Sequence, residues 1–220
     1  RVFYPVKSHI ASSVPKVEKN NLAFKDVFVS LDGDMRRIGR SISMIEEKCR
    51  KLEAGGDMDL DYDLFIHGTG DVVPNFPKLT ELSRGEWDML IRQFINEPAE
   101  FTRIALDKLV PNGSDDPRKF KDAKGRIIII GPALPAGKKI SGHERAKVEV
   151  FRGLLRPFAT TVNQELSDVL KSNIRVFLIL PGTVDGKEPN DENIVNTINY
   201  LMSDEAASSS EVIFCPDETR

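Results

Sequence analysis

The chain has 220 residues, 40% hydrophobic and 30% charged, enough for one compact domain with a full core. Its 31 Lys and Arg against 34 Asp and Glu give a net charge of −3, which offers no basic field to nucleic acid or an anionic membrane. No apolar run approaches the ~20 residues of a membrane span, and nothing at the N-terminus reads as a signal peptide. Cys49 and Cys215 lie far apart in sequence and read as reduced thiols of a cytoplasmic protein.

In chain order, residues 1–24 read as an irregular segment in which Arg1–Val6 offers a short strand and Ser8–Asn21 a polar loop. Val27-Phe28-Val29 is a short β-prone run. Ile38, Ile42, Ile45, Cys49 and Leu52 then recur at three- and four-residue steps, which predicts an amphipathic helix over Arg36–Glu53, stopped by Gly55-Gly56. Leu64–Gly70 reads as a buried strand with a glycine-rich end. Ser83-x-x-Glu86 is a capping box opening a helix to about Leu109, in which Pro98 removes a hydrogen bond and predicts a kink. Pro111–Gly125 is a polar loop, and Gly125–Gly131 a buried strand. A second capping box, Ser141-x-x-Glu144, precedes a helix to about Leu170 that contains Pro157. Asn173–Thr183 is a buried strand ending in the Pro181-Gly182 turn. A short helix over Ile194–Met202 and a strand over Glu211–Pro216 complete the pattern. Strands alternating with helices imply one α/β domain over 1–220, doubly wound around a mostly parallel sheet.

Several stretches together resemble the short-chain dehydrogenase/reductase superfamily. Asp63-Leu64, with Gly70 at the end of the same strand, is similar to that family's Asp-x-Leu-x-Asn-Asn-Ala-Gly strand end. Glu86-Trp87-Asp88, with Thr102-Arg103 and Ala105-Leu106, resembles its fourth helix, and Gly125-Arg-Ile-x-x-Ile its fifth strand. The next helix matches through Phe158 and Glu165, and Pro181-Gly182-Thr183 matches the turn that borders the nicotinamide. The resemblance implies a Rossmann-like fold and locates the four catalytic positions. Each carries the wrong residue: Phe94 at the Asn position, Pro132 at the Ser, Val148 at the Tyr and Arg152 at the Lys. Hydride transfer to a carbonyl needs a proton donor at the oxygen and a group to hold it, and Val and Pro provide neither. A rival alignment takes His143-x-x-x-Lys147 as a degenerate Tyr-x-x-x-Lys; the bland reading of that pair is a solvated helix start.

The cofactor half reads as truncated. The nearest match to the family's glycine-rich phosphate turn is Val29–Ile42, where Gly33 and Gly39 survive, Arg37 replaces the middle glycine and Asp32 and Asp34 add negative charge. Alternatively this pair is the family's third strand and following helix, with the first βαβ unit absent. In either reading, too few residues remain before Leu64 for the usual two further strands.

Other polar features read blandly. Asp57-x-Asp-x-Asp-x-Asp63 has Tyr62 where a calcium loop needs Gly and Gly68 where it needs Glu. His9, His67 and His143 share no metal-ligand spacing. Gly68 and Gly70 fit a ligand approach or a plain turn equally well. Trp87 and Phe94 read as core or subunit contacts. In the family the fourth and fifth helices form the main subunit interface, and here they correspond to segments near 83–109 and 141–170. The resemblance therefore implies a non-catalytic subunit, without catalytic residues, cofactor or metal of its own, paired through those helices with an active sister. That partner would carry NAD and oxidise a β-hydroxyacyl-CoA. Two other readings stay open: an active reductase with a divergent site around Lys147, and a structural module of a larger synthase.

Overall fold

The computed structural model describes residues 2–6, 27–30, 64–69, 78–110, 115–134, 142–182, 191–208 and 212–215. Among the described residues six strands form one sheet, ordered β2-β1-β3-β4-β5-β6, with every neighbouring pair parallel. They are β1 (Val2–Val6), β2 (Val27–Ser30), β3 (Leu64–Gly68), β4 (Lys124–Ile130), β5 (Asn173–Ile179) and β6 (Ile213–Phe214). The helices are α1 (Arg84–Ile91), α2 (Glu97–Leu109), α3 (Gly142–Gln164), α4 (Asp191–Leu201) and α5 (Asp204–Ser208). The predicted helix over Arg36–Glu53 and the capping box at Ser141 fall outside the described residues.

The two-residue period of β3, β4 and β5 splits the core between the two faces of the sheet. Phe65, Ile127, Ile129, Val176 and Leu178 face α2 and α3, meeting Phe101, Ala105, Leu155 and Ala159. The alternate residues Leu64, Ile66, Ile128, Phe177 and Ile179 pack on the other face with Leu201 and Ala206. Strands covered on both sides must be apolar at nearly every position, which is why β4 runs Ile127-Ile-Ile-Ile130. β4 and β5 pair in register along their whole length, from Lys124 opposite Asn173 to Ile130 opposite Ile179.

The strand order matches neither reading of the N-terminal half, which took the strand over 27–30 as the first strand or as the third with the first pair absent. β1 sits between β2 and β3, so a first parallel pair is present and, among the described strands, the one over 27–30 is at the edge. No further described strand lies between Ser30 and Leu64.

Local chemistry fixes the helix ends. Ser83 forms the expected capping box: its backbone N–H donates to Glu86 Oε2 at 2.7 Å, and its Oγ accepts from the Glu86 N–H at 3.3 Å. At Pro98 the expected kink takes a specific form. A π-helical turn over Arg92–Asn96 separates α1 from α2, the Glu97 N–H reaches back to the Arg92 carbonyl, and Pro98 follows at the start of α2. The wider turn falls immediately ahead of the residue that has no N–H to donate. α3 runs unbroken through Pro157 and ends in a second π turn, Glu165–Val169. Lys171 at φ 54° then reverses the chain, while the Ser172 N–H caps the Leu166 carbonyl at 2.8 Å. The predicted polar loop before β4 contains a 3-10 helix, Pro117–Asp122.

One polar side chain substitutes for strand pairing. β6 is two residues long and reaches only the C-terminal part of β5, where Leu178 and Leu180 donate to Val212 and Phe214. At Val176 the buried amide of Asn163 takes over. Its Oδ1 accepts the Val176 N–H at 3.0 Å, and its Nδ2 donates to the Val176 carbonyl and to Ala159. Asn163 thereby satisfies both backbone groups of a buried residue.

Candidate functional site

In an open parallel sheet, ligands bind beyond the carboxyl ends of the strands where the winding direction reverses. That point here is the crevice between β1 and β3, because β2 lies on one side of β1 and β3 on the other. A phosphate-binding turn would leave β1, yet Gly33 is the first glycine of the chain. The Gly33–Gly39 candidate instead leaves the edge strand β2, away from the switch point; its own residues are outside the described set. The signal missed in the sequence was the absence of glycine after Val6, which gains meaning only once β1 is placed at the switch point.

The described rim consists of Gly68-Thr69 after β3, Gly131–Leu134 after β4 and Leu180–Gly182 after β5. The strand ends are tied closely together. Thr69 N–H donates to the Ile130 carbonyl at 2.9 Å, Gly131 N–H to Ile179 at 2.8 Å and Leu134 N–H to Pro181 at 3.2 Å. Gly131 is wedged in place: a Cβ there would lie 2.7 Å from Leu180 Cδ2 and 3.1 Å from Leu155 Cδ1. Gly68 differs, with nothing within 4 Å of a Cβ, so its own packing does not demand glycine.

Of the four positions that the resemblance assigns to catalytic residues, Pro132 lies on this rim and Arg152 is bonded to it. Pro132 is buried on it. Phe94 is fully buried and stacks on Phe151, with centroids 4.8 Å apart and rings inclined by 27°, in a small cluster with Leu90. Val148 is buried on α3. Arg152 is 0% exposed and stands among the largest fully buried side chains. Its Nη1 donates to the Pro181 carbonyl at 2.7 Å and its Nη2 to the Leu180 carbonyl at 3.3 Å, while Nε lies 3.6 Å from Glu149 Oε2. The planar fork of the guanidinium suits two carbonyls side by side. Arg152 is thus a bracket between α3 and the turn that follows β5. In the family, a cation at this position lowers the pKa of a tyrosine; here the neighbouring position holds apolar Val148.

Two further polar groups approach the rim. Gln93, on the π turn beside Phe94, donates from Nε2 to the Thr69 carbonyl at 2.8 Å. Lys147 is only 4% exposed, which corrects the expectation of a solvated helix start. One turn before Phe151, it shares the inward flank of α3. The His143 side chain is outside the described set. His67 is buried and stacks on Phe101 at 4.8 Å. Among the described residues no group of His, Cys, Asp or Glu is arranged to hold a metal ion, and no helix is long and apolar enough to cross a membrane. Tyr200, on α4, packs edge-on against Phe214 at 6.0 Å.

No protein-family model and no curated protein matches this sequence. Solved structures do match. Landomycin C-6 ketoreductase LanV with bound NADP and rabelomycin superposes with a TM-score of 0.64 at 16% identity, covering 98% of this chain and 82% of the other. 4-Hydroxyisoleucine dehydrogenase complexed with NADH gives 0.61 at 18% identity, covering 86% and 78%. Acetoin dehydrogenase YohF from Salmonella typhimurium gives 0.57 at 14% identity, covering 88% and 75%. At such identities the likeness establishes the fold: a Rossmann-like α/β architecture of the short-chain dehydrogenase/reductase type, as in NAD(P)-linked oxidoreductases.

Proposed function

We propose that this chain is a non-catalytic short-chain-dehydrogenase-like subunit. It assembles with, and stabilises, a catalytically active NAD-dependent dehydrogenase subunit that oxidises a β-hydroxyacyl-CoA. Arg152 is the observation that carries this reading. This cation, at the position the resemblance gives to the catalytic Lys, is fully buried and bonded to the Leu180 and Pro181 carbonyls. Val148, Pro132 and Phe94 offer no proton donor around it, and the strand at the switch point is followed by no glycine-rich turn. NAD belongs to the sister subunit in this account.

The plan resembles the two-subunit 2-[hydroxy(phenyl)methyl]-succinyl-CoA dehydrogenase of anaerobic toluene breakdown, in which one subunit carries NAD and the active site and the other is degenerate. That acyl-CoA is the most specific form of the proposal. Exposed apolar side chains on the segments near 83–109 and 141–170 favour contact there: Met89 and Ile91 on α1, Val150 and Leu154 on α3.

Purification of the tagged chain from its native host, with mass measurement and NAD titration of each species, tests the reading. A stoichiometric dehydrogenase partner that alone binds NAD supports it; a chain isolated without such a partner contradicts it. The burial of Lys147 favours one second reading, an oxidoreductase with a divergent site. It requires saturable NADH binding by the isolated chain, abolished by Lys147→Met.

A further inference from the structure

The net charge of −3 hides a local cationic array at the amino ends of β4 and β5. In register along the two strands, Lys124 stands opposite Asn173 and Arg126 opposite Arg175. The next pair on that side, Ile128 and Phe177, belongs to the core on one face of the sheet. Side chains alternate along a strand, so Lys124, Arg126, Asn173 and Arg175 are directed to the same face, just beyond its core. Lys124 and Asn173 are exposed, and the two arginines are half-buried.

Strand spacing sets the backbones of Arg126 and Arg175 about 4.8 Å apart, and Lys124 precedes Arg126 by about 6.6 Å along β4. Like charges on directly neighbouring strand residues repel. Arg126 Nη1 donates to the Gly125 carbonyl at 3.3 Å, a neutral acceptor that leaves the cation's charge in place. Among the described residues no carboxylate forms an ion pair with Lys124 or Arg175. β6 pairs with β5 only at Leu178 and Ile179, so no described strand covers the flank of β5 beside Arg175. Three cations and an amide thus share one patch, at the opposite end of the sheet from the rim that carries Gly131.

We infer that this array is a binding site for a phosphate group, separate from the crevice at the carboxyl ends of the strands. Two guanidinium forks side by side match the oxygens of one phosphate, and its double negative charge removes their mutual repulsion. The Lys124 ammonium and the Asn173 amide add donors at the same patch. A carboxylate brings one negative charge and two oxygens, so a phosphate balances three cations more fully. The ligand class is a diphosphate or phosphate ester, a chemistry shared by inorganic anions and nucleotides.

Calorimetric titration of the full chain with pyrophosphate, in chloride buffer at constant ionic strength, tests the site. Pyrophosphate saturates one site per chain with a Kd below about 1 mM. Arg175→Gln weakens it at least about tenfold, and Lys124→Gln, at an exposed position, weakens it about threefold. Arg84→Gln removes an exposed cation on α1 and leaves the affinity unchanged. Pyrophosphate also raises the Tm of the wild type and not of Arg175→Gln. Without pyrophosphate Arg175→Gln unfolds no earlier than the wild type, which separates a binding role from a structural one. ADP added to the pyrophosphate complex tells the two sources apart: displacement assigns the site to a nucleotide diphosphate, no displacement to an inorganic anion, and either supports a phosphate site. No saturable pyrophosphate binding, an Arg175→Gln affinity equal to wild type, or an equal loss in Arg84→Gln overturns the inference. If the acidic run Asp57–Asp63, which lies outside the described residues, already neutralises the array, the first of these is the result.

Discussion

Removing Arg152 tests the bracket between α3 and β5. Arg152→Ala deletes two charge-assisted hydrogen bonds. The Pro181 carbonyl keeps a second donor in the Leu134 N–H, so the Leu180 carbonyl is the group most exposed to the loss, and stranding a buried acceptor costs about 1–3 kcal/mol. The emptied volume of a fully buried long side chain adds about 2 kcal/mol or more. Relief from the cost of burying a charge offsets some of this. The net is a destabilisation of about 3 kcal/mol, or on the order of 10 °C in Tm for a chain of this size. Arg152→Lys falls between, because one ammonium cannot fork to both carbonyls. Urea unfolding followed by fluorescence of the single tryptophan, Trp87, measures both. An Arg152→Ala variant within 1 kcal/mol of wild type by that measure refutes the structural role and returns the arginine to the candidates for chemistry.

Three other perturbations probe separate parts of the account. Asn163→Leu leaves both backbone groups of Val176 without their partner and lowers stability by about 2–4 kcal/mol; hydrogen exchange at the Val176 amide should rise with it, and an unchanged amide contradicts the pairing. Pro157→Ala, at an exposed position inside α3, stabilises the chain by about 2 kcal/mol, read by urea unfolding; no gain means the helix has already absorbed the proline. Glu86 is held below the usual carboxylate range by hydrogen bonds from the Ser83 hydroxyl and backbone N–H. Because its folded value is depressed, its contribution is present above the unfolded value and disappears as pH falls through the folded one. Ser83→Ala should therefore cost about 1 kcal/mol at neutral pH; in acid the part owed to the Glu86 carboxylate is lost and the part owed to the Ser83 Oγ bond from the Glu86 N–H remains, so a cost that rises in acid would contradict the capping box.

Much of the fold was legible because its signals are local. The apolar runs at Leu64, Gly125 and Asn173 and the Ser83 capping box need only neighbouring residues to be read. The resemblance assigned Phe94, Pro132, Val148 and Arg152 from the sequence, but how these side chains pack could not be read there. Nothing local shows that the Arg152 guanidinium turns to the carbonyls of Leu180 and Pro181, 28 and 29 residues onward. The same holds for Asn163, whose partner is a strand residue 13 positions away. Lys147 was readable in principle: it shares a helix flank with Phe151 and Phe158, and that periodicity outweighs its charge. The proline at 98 announced a disturbance, whereas its form as a π turn over Arg92–Asn96 is not a local signal. The N-terminal half stayed ambiguous because strand order is a property of the sheet, and Val2–Val6 is too short to claim the switch-point position from sequence alone.

Titration of NADH and NADPH into the purified chain, followed by calorimetry, bears most directly on the central claim. The account predicts no saturable binding of either nucleotide to this chain, and tight NADH binding once the sister subunit is added. Saturable binding by the chain alone, at micromolar affinity and one site per copy, would contradict it.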